Sequence, residues 1–263
     1  MSLKDDDVYA LGRLTWQEAA ELLARHPVGL LPTGAIEAHG PHLPLDTDVL
    51  IARAMARRAA ERLVEAGLPA LVLPPLSFGV SFVGTCFPGT SPVEPAALEA
   101  YLVSLLTQLA PQGYRAIALC NAHLEPAHVA TLATAAARAT NNTGIPVVVF
   151  DKREARWAAR LSDEFRRGAR HAGSYETSLV LAASPQAVRR DALEGLPPVW
   201  IDLPARLAAG ASTFSEAGGA LGYFGDPALA TAMEGNRLLD ALGEMIVELV
   251  LAAIDDEEDS GGA

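Results

Sequence analysis

Short apolar runs alternate with longer segments of helical period along most of the chain. Four runs have the length and aliphatic content of buried strands, at residues 28–31, 70–73, 115–120 and 146–150. Helical patterns cover residues 15–26, 48–66, 94–109, a segment after Asn121 that ends near 139, 152–168, 176–183 and 227–254. The first of these helices carries a capping-box spacing, with Thr15 followed three positions later by Glu18.

This alternation predicts one α/β domain with a mainly parallel sheet that helices cover on both faces. We assign residues 14–254 to that domain, residues 1–13 to an N-terminal leader or arm, and residues 255–263 to an acidic disordered tail. Residues 196–225 are rich in proline and glycine and lack a clear period. Because structureless loops of that length are uncommon, we expect this segment to form a lid, an active-site wall or a subunit contact.

Composition excludes some classes of function. The formal net charge of -12 argues against binding to a nucleic-acid backbone, which requires clustered lysine and arginine. The 2 cysteines favour a reducing compartment without a disulfide framework. No apolar segment has the length of a signal peptide core or a membrane span. We therefore expect a cytoplasmic protein that binds neither nucleic acid nor membrane.

Ionisable side chains follow two of the predicted strands. The first strand leads into GAIEAHGPHLPLDTD, which contains Glu37, His39 and Asp48, and the third leads into NAHLEP, which contains His123 and Glu125. In open α/β sheets, ligands bind beyond the carboxyl ends of the strands. Glu37 with His39, and His123 with Glu125, are pairs two residues apart, so in extended backbone each pair points to one side.

These side chains together predict a site for two metal ions. Two Glu/His pairs and one aspartate exceed what a single catalytic zinc needs, since such a site uses three protein ligands and keeps one position open. The set suits two ions if Asp48 bridges them, and its mixed nitrogen and oxygen ligands fit Zn or Mn. Two such ions would acidify a bridging water and stabilise an oxyanion formed beside them, which is the chemistry of hydrolysis.

Either pair alone is more often a capping or surface feature, and the metal hypothesis depends on their joint occurrence after two strands of one domain. Asp46 could support the turn or orient His39. His42 could be structural. His128, three residues beyond Glu125 on a helix, could orient a metal ligand or could simply be a polar helix position; we favour the second interpretation, and we assign no function to His26.

A third segment, RHAGSYETS, leaves two interpretations open. Glu176 could interact with the dipole of the helix that it begins while His171 packs in a loop. Alternatively, His171 could donate a proton to a leaving nitrogen next to the metal site.

The segments GAIEAHGPHLPLDTD, FPGT, NAHLEP and HAGSYETS, in this order, resemble the creatininase family of metal-dependent amidohydrolases. The resemblance implies a three-layer α/β/α sandwich with a mostly parallel central sheet, two divalent ions per subunit (Zn, Mn or both) and a homo-hexamer built as a trimer of dimers. It implies that Glu37, Asp48 and His123 bind one ion, and that His39, Asp48 and Glu125 bind the other. It further implies that His171 transfers protons and that Glu176 orients His171 or a neighbouring group.

Departures from the family pattern bear on the substrate. Creatininase itself has an aromatic residue where this chain has Leu124, and an acidic residue where this chain has Arg170. Many members carry a Glu-His pair where this chain has Val83 and Gly84. Creatinine is therefore a poor first candidate, and Arg167 and Arg170 could recognise a phosphate or a carboxylate. Arginine-rich helices are, however, usually just solvated.

The sequence thus predicts an enzyme that hydrolyses a carbon–nitrogen bond, other than a peptide bond, in a small cyclic or linear amide. The metal-bridging hydroxide would attack, and Glu125 or His171 would carry the proton to the leaving nitrogen. Two alternatives are a metallopeptidase that trims a short peptide and a non-catalytic family member that acts as a binding protein. Retention of the whole ligand set argues against the last.

Overall fold

The computed structural model describes residues 9–261. Four strands form the sheet, β1 (Val28–Thr33), β2 (Ala70–Val72), β3 (Ala116–Asn121) and β4 (Val147–Phe150). The long helices are α1 (Trp16–Leu23), α2 (Thr47–Glu65), α3 (Pro95–Leu109), α4 (Pro126–Thr143), α7 (Ser174–Ala183) and α11 (Ala232–Gly261). Short helices are α5 (Ala155–Ala158), α6 (Asp163–Arg166), α8 (Arg190–Leu193), α9 (Leu203–Ala208) and α10 (Phe214–Ala217).

The sheet has the order β2-β1-β3-β4, and all of its pairings are parallel. The chain moves outward from β1 to β2 and then returns to add β3 on the other side of β1. The carboxyl ends of β1 and β3 are therefore neighbours, with Thr33 opposite Asn121 in the register. This reversal is the position at which open α/β sheets bind their ligands.

Helices cover both faces of the sheet, as the sequence predicts. Successive residues of β3 point to opposite faces, so Ala118 and Cys120 pack with α2, α7 and α11, while Ile117 and Leu119 pack with α3 and α4. The three-layer α/β/α sandwich with a parallel central sheet is thus confirmed. None of the helices within residues 9–261 is long and apolar enough to cross a membrane.

Two segments differ from the predicted pattern. The charged stretch 152–168, predicted as one helix, forms the separate helices α5 and α6, because Ser162 caps a new helix by accepting a hydrogen bond from the backbone N–H of Phe165. At the other end, α11 continues to Gly261 and so includes most of the stretch predicted as a disordered tail. Residues 1–8 of the predicted leader and residues 262–263 lie outside the described part.

Candidate metal centre

The loop after β1 carries Glu37 and His39 beneath the first turn of α2, which presents Asp48. Gly34 permits this close approach, since a Cβ atom there would lie only 2.8 Å from the Cβ of Asp48. The loop after β3 brings His123 to the same point from the neighbouring strand. Four side chains that the sequence predicted as ligands therefore meet at the sheet edge.

Glu37, Asp48 and His123 form one group whose potential ligand atoms all lie within 4.8 Å of one another. Nδ1 of His123 is 3.2 Å from Oε1 of Glu37 and 3.1 Å from Oδ2 of Asp48. The three side chains are 4% or less exposed to solvent. Charged groups buried to this extent require partners of opposite charge.

A second group consists of His39, Asp48 and Glu176, the glutamate in the first turn of α7. Nε2 of His39 lies 3.5 Å from Oδ1 of Asp48 and 3.6 Å from Oε2 of Glu176. Asp48 thus belongs to both groups, with one oxygen facing each histidine. A third group, of Glu37, His39 and His171, overlaps the other two.

Hydrogen bonds fix which ring nitrogen each histidine presents. The N–H groups at His39 Nδ1, His123 Nε2 and His171 Nε2 donate to the backbone carbonyls of Glu37, Val80 and Ala38, at 3.1, 2.8 and 2.8 Å. The other nitrogen of each ring then faces carboxylate oxygens. In the neutral rings these facing atoms are all acceptors, and a cation must lie between them.

Two of the facing atoms, Nε2 of His39 and Oδ2 of Asp48, are buried and have no hydrogen-bond partner among the described residues. A divalent metal ion would satisfy both of them. The imidazole and carboxylate ligands fit Zn or Mn, as the sequence predicted.

Without a metal ion, protons must supply this positive charge. Burial alone would raise the pKa of Glu37, but the charges of His123 and His171 outweigh it and lower that pKa to about 2. Burial alone would lower the pKa of His39, but the charges of Asp48 and Glu176 raise it to about 9. The pKa of His123 is raised well above its usual range because the attraction of Glu37 and Asp48 exceeds the effect of burial.

Glu125 lies apart from the three groups that the described residues form. Its carboxylate is half-buried and accepts hydrogen bonds from the backbone N–H groups of Phe82 and Val83, at 3.2 and 3.1 Å. Burial raises its pKa. We call the three groups of potential ligands the metal groups. Glu125 lines the cavity above them, where its carboxylate could exchange protons with a bound molecule.

His171 lies at the border between the metal groups and the cavity. Its ring stacks on Phe214, with centroids 4.1 Å apart, and its Nδ1 is 3.6 Å from Oε1 of Glu37. Burial, together with the positive charge of His39, lowers the pKa of His171 to about 4, so the ring is neutral near pH 7. Glu176, predicted to orient His171 or a neighbouring group, accepts a hydrogen bond from the backbone N–H of Ala172 at 2.7 Å.

The loop of residues 79–83 orients several side chains of the site through hydrogen bonds. This role was not predicted from the sequence. Val80 accepts from His123, and the hydroxyl of Ser81 donates to Oε2 of Glu37 at 2.6 Å. His128 is buried, accepts from the backbone N–H of Val80, and lies edge-on to His123, so it is more than an ordinary helix position. The position of this loop after β2, at the same sheet edge, was the available signal.

The remaining histidines and Asp46 lie outside this network. His42 is buried and shares a hydrogen bond of 2.9 Å with the Thr177 hydroxyl, which agrees with a structural role. Asp46 is exposed at the N-terminus of α2 and His26 is exposed near Gly113.

The cavity above the metal groups has a volume of about 320 Å³, enough for a small ligand. Residues 203–214 form an apolar wall through Leu203, Leu207 and Phe214. Part of the irregular segment 196–225 therefore lines this cavity, next to the candidate metal centre.

Comparison with known proteins assigns the family. The family model described as creatinine amidohydrolase (creatininase) matches residues 12–250. A mycofactocin precursor peptide peptidase of Mycolicibacterium smegmatis is 36% identical over 215 residues, which cover 81% of this chain and 79% of that protein. The creatinine amidohydrolase of Pseudomonas putida is 33% identical over 204 residues, 72% of this chain and 76% of that protein.

Solved structures agree with this assignment. A manganese form of creatininase superposes with a TM-score of 0.71 and 28% identity, covering 92% of this chain and 97% of that chain. A zinc–zinc form of a creatininase mutant has a TM-score of 0.71 and 26% identity, with coverages of 92% and 96%. With the family model matched over nearly the whole described chain, this protein belongs to the creatininase family of hydrolases.

Proposed function

We propose that this protein hydrolyses an amide bond with the help of two divalent metal ions. In this proposal Glu37, Asp48 and His123 bind one ion, while His39, Asp48 and Glu176 bind the other, so Asp48 is shared. The observation that carries the proposal is the set of imidazole nitrogens and carboxylate oxygens that face each other in a buried site, where Nε2 of His39 and Oδ2 of Asp48 have no hydrogen-bond partner among the described residues. Ions bound there would acidify a water molecule and polarise the carbonyl group of a substrate.

The surrounding side chains would then move the proton. Glu125, whose pKa is raised by burial, is the general acid and base nearest to solvent in the cavity. His171 is neutral and presents the unprotonated Nδ1, so it can accept a proton and return it to a leaving nitrogen. The close packing of Phe214 on His171 keeps its ring in place and excludes water from that side.

A second candidate is hydrolysis of a peptide bond near the end of a short peptide. It is favoured by the relative from Mycolicibacterium smegmatis, which is named as a peptidase and is 36% identical. Hydrolysis of a small cyclic or linear amide, at a carbon–nitrogen bond other than a peptide bond, remains the first candidate. The two candidates share the metal centre and differ only in what occupies the cavity.

Amine release from a panel of amides tests the proposal. The panel contains creatinine, a formamide, a lactam and short peptides, each incubated with protein that has been stripped by a chelator and then supplied with Zn or Mn. We expect hydrolysis of at least one class that is lost on chelation and restored by the metal. Full activity of a protein that has been shown to contain no metal would contradict the proposed function.

Chelated and metal-supplied protein should also differ in how their stability depends on pH. The pKa of His39 is about 9 in the metal-free fold, above its ordinary value, so its proton stabilises the fold below pH 6.5 and this contribution is lost as the pH rises through 9. The loss can reach ~3 kcal/mol for one such group. Metal ions would replace that proton.

We therefore expect the Tm of chelated protein to fall between pH 6.5 and 9, while the Tm of the metal-supplied protein stays nearly constant. Differential scanning calorimetry at several pH values measures both. Parallel curves for the two forms would show that metal ions do not replace the proton on His39.

A further inference from the structure

The cavity contains two arginines, and their surroundings differ. Arg153 is paired with Asp151, with Nη2 2.8 Å from Oδ2 and Nε 2.9 Å from Oδ1, and it also donates to the carbonyl of Leu124. Its charge is therefore matched by a neighbouring carboxylate. Arg153 contributes little net positive charge to the cavity.

Arg170 has no such carboxylate partner. Its Nε donates to the carbonyl of Phe165 at 2.9 Å and its guanidinium lies 4.6 Å from the centre of the Phe165 ring. These contacts hold the group in place but leave its charge unpaired. Its two terminal nitrogens form no hydrogen bond or ion pair within residues 9–257. Asp202, the acid with the strongest electrostatic effect on Arg170, caps α9 through the N–H of Ala205.

The cavity thus combines an unpaired guanidinium with the apolar wall formed by Leu203, Leu207 and Phe214. The metal groups lie at its buried end, through Glu37, Asp48 and Glu176. A guanidinium with free terminal N–H groups binds a carboxylate through two parallel hydrogen bonds. Since one unpaired cation balances one negative charge, a monoanionic carboxylate is the matching ligand.

From this arrangement we infer that the substrate is an amide that carries a free carboxylate, bound by Arg170, and an apolar group, which packs on the wall of residues 203–214. Acylated amino acids with apolar side chains and short peptides with an apolar C-terminal residue both have this chemistry. The inference rests on the proposed function for its amide bond. The binding of the carboxylate can be measured without hydrolysis.

Calorimetry with matched ligands tests the carboxylate site on metal-loaded protein. The first pair is N-acetyl-L-leucine and N-acetyl-L-leucinamide, and the second is Ala-Ala-Ala-Leu with a free or an amidated C-terminus. We expect at least one acid to bind ~10-fold or more tightly than its amide, which corresponds to one charge-assisted interaction. Arg170→Gln should reduce this preference to about twofold, and Arg170→Lys should retain part of it.

Arg167→Gln is the matched control. Arg167 is exposed and its guanidinium lies over the ring of Trp200, at 5.9 Å, outside the cavity lining. This variant should keep the full preference for the acid. Thermal unfolding of all variants checks that the loss of the bond from Arg170 to Phe165 has not unfolded α6.

An equal affinity of the wild-type protein for acid and amide would overturn the inference. So would a preference that persists in Arg170→Gln, because the carboxylate would then be bound by metal ions. The pair that shows the preference distinguishes acylated amino acids from peptides. If no amide is hydrolysed while Arg170 still governs carboxylate binding, the proposed function fails and the carboxylate site remains.

Discussion

Asp48→Asn is expected to remove both metal ions and to lower kcat/KM at least ~10³-fold, since metal ions supply several kcal/mol of transition-state stabilisation. Asp48 is the one side chain shared by the two groups of proposed ligands, with Oδ2 3.1 Å from His123 and Oδ1 3.5 Å from His39. Asparagine keeps the shape of the side chain but offers one neutral ligand oxygen, and its amide nitrogen cannot bind a metal ion. Metal content by elemental analysis and kcat/KM for the best amide substrate measure the effect.

Two comparisons make the Asp48 result specific. Asp46→Asn, two positions earlier, changes an exposed carboxylate at the N-terminus of α2 and should alter neither metal content nor kcat/KM. His39→Gln should weaken the binding of one ion and should not affect the ion that Glu37 and His123 bind. Equal partial losses of metal from Asp48→Asn and His39→Gln would rule out a shared Asp48.

Glu176→Gln should remove one of the two ions and most of the activity, whereas Glu125→Gln should retain both ions and lower kcat by ~10²- to 10⁴-fold. Glu176 lies 3.6 Å from His39 and belongs to a group of side chains that could hold a metal ion. Glu125 instead accepts two backbone hydrogen bonds in the cavity wall. Both substitutions exchange one carboxylate for an amide of the same size, so each is the control for the other.

Elemental analysis of the two variants decides whether Glu176 or Glu125 binds an ion together with His39 and Asp48. If Glu125→Gln loses one ion and Glu176→Gln loses none, then Glu125 is the ligand, as the spacing of NAHLEP and the family resemblance indicate. If the kcat of Glu125→Gln equals that of the wild type, the proposal that Glu125 transfers a proton is wrong.

The sequence predicted the sheet and its binding edge well because the underlying signals are local. The aliphatic runs at β1 and β3 and the ligands immediately after them are read directly from adjacent residues. That both strands end at one edge follows from their being parallel. Glu37, His39, Asp48 and His123 therefore converge as expected.

Other features depend on tertiary contacts that no local pattern encodes. The proximity of Glu176 to His39 arises from the packing of α7 against α2 and α11. Likewise, the position of Glu125 two residues after His123 gave no indication that the backbone N–H groups of Phe82 and Val83 would bind its carboxylate. The role of Ser81 and Val80 depends on where the loop after β2 passes. The break between α5 and α6 was readable in principle, because Ser162 is a good N-cap residue.

The adjacency of β1 and β3 has a consequence for the chain as a whole. Glu37, His39 and Asp48 come from the crossover after β1, His123 comes from the crossover after β3, and Glu176 comes from α7, so no single piece of the chain holds the site by itself. Ions bound there would act as a removable cross-link between three non-contiguous lengths of chain. They would bind the folded protein in preference to the unfolded one and add ~4 kcal/mol of stability at a thousandfold excess over Kd. Occupancy of the site and persistence of the fold would then be coupled, so the supply of metal would set the lifetime of the protein as well as its activity.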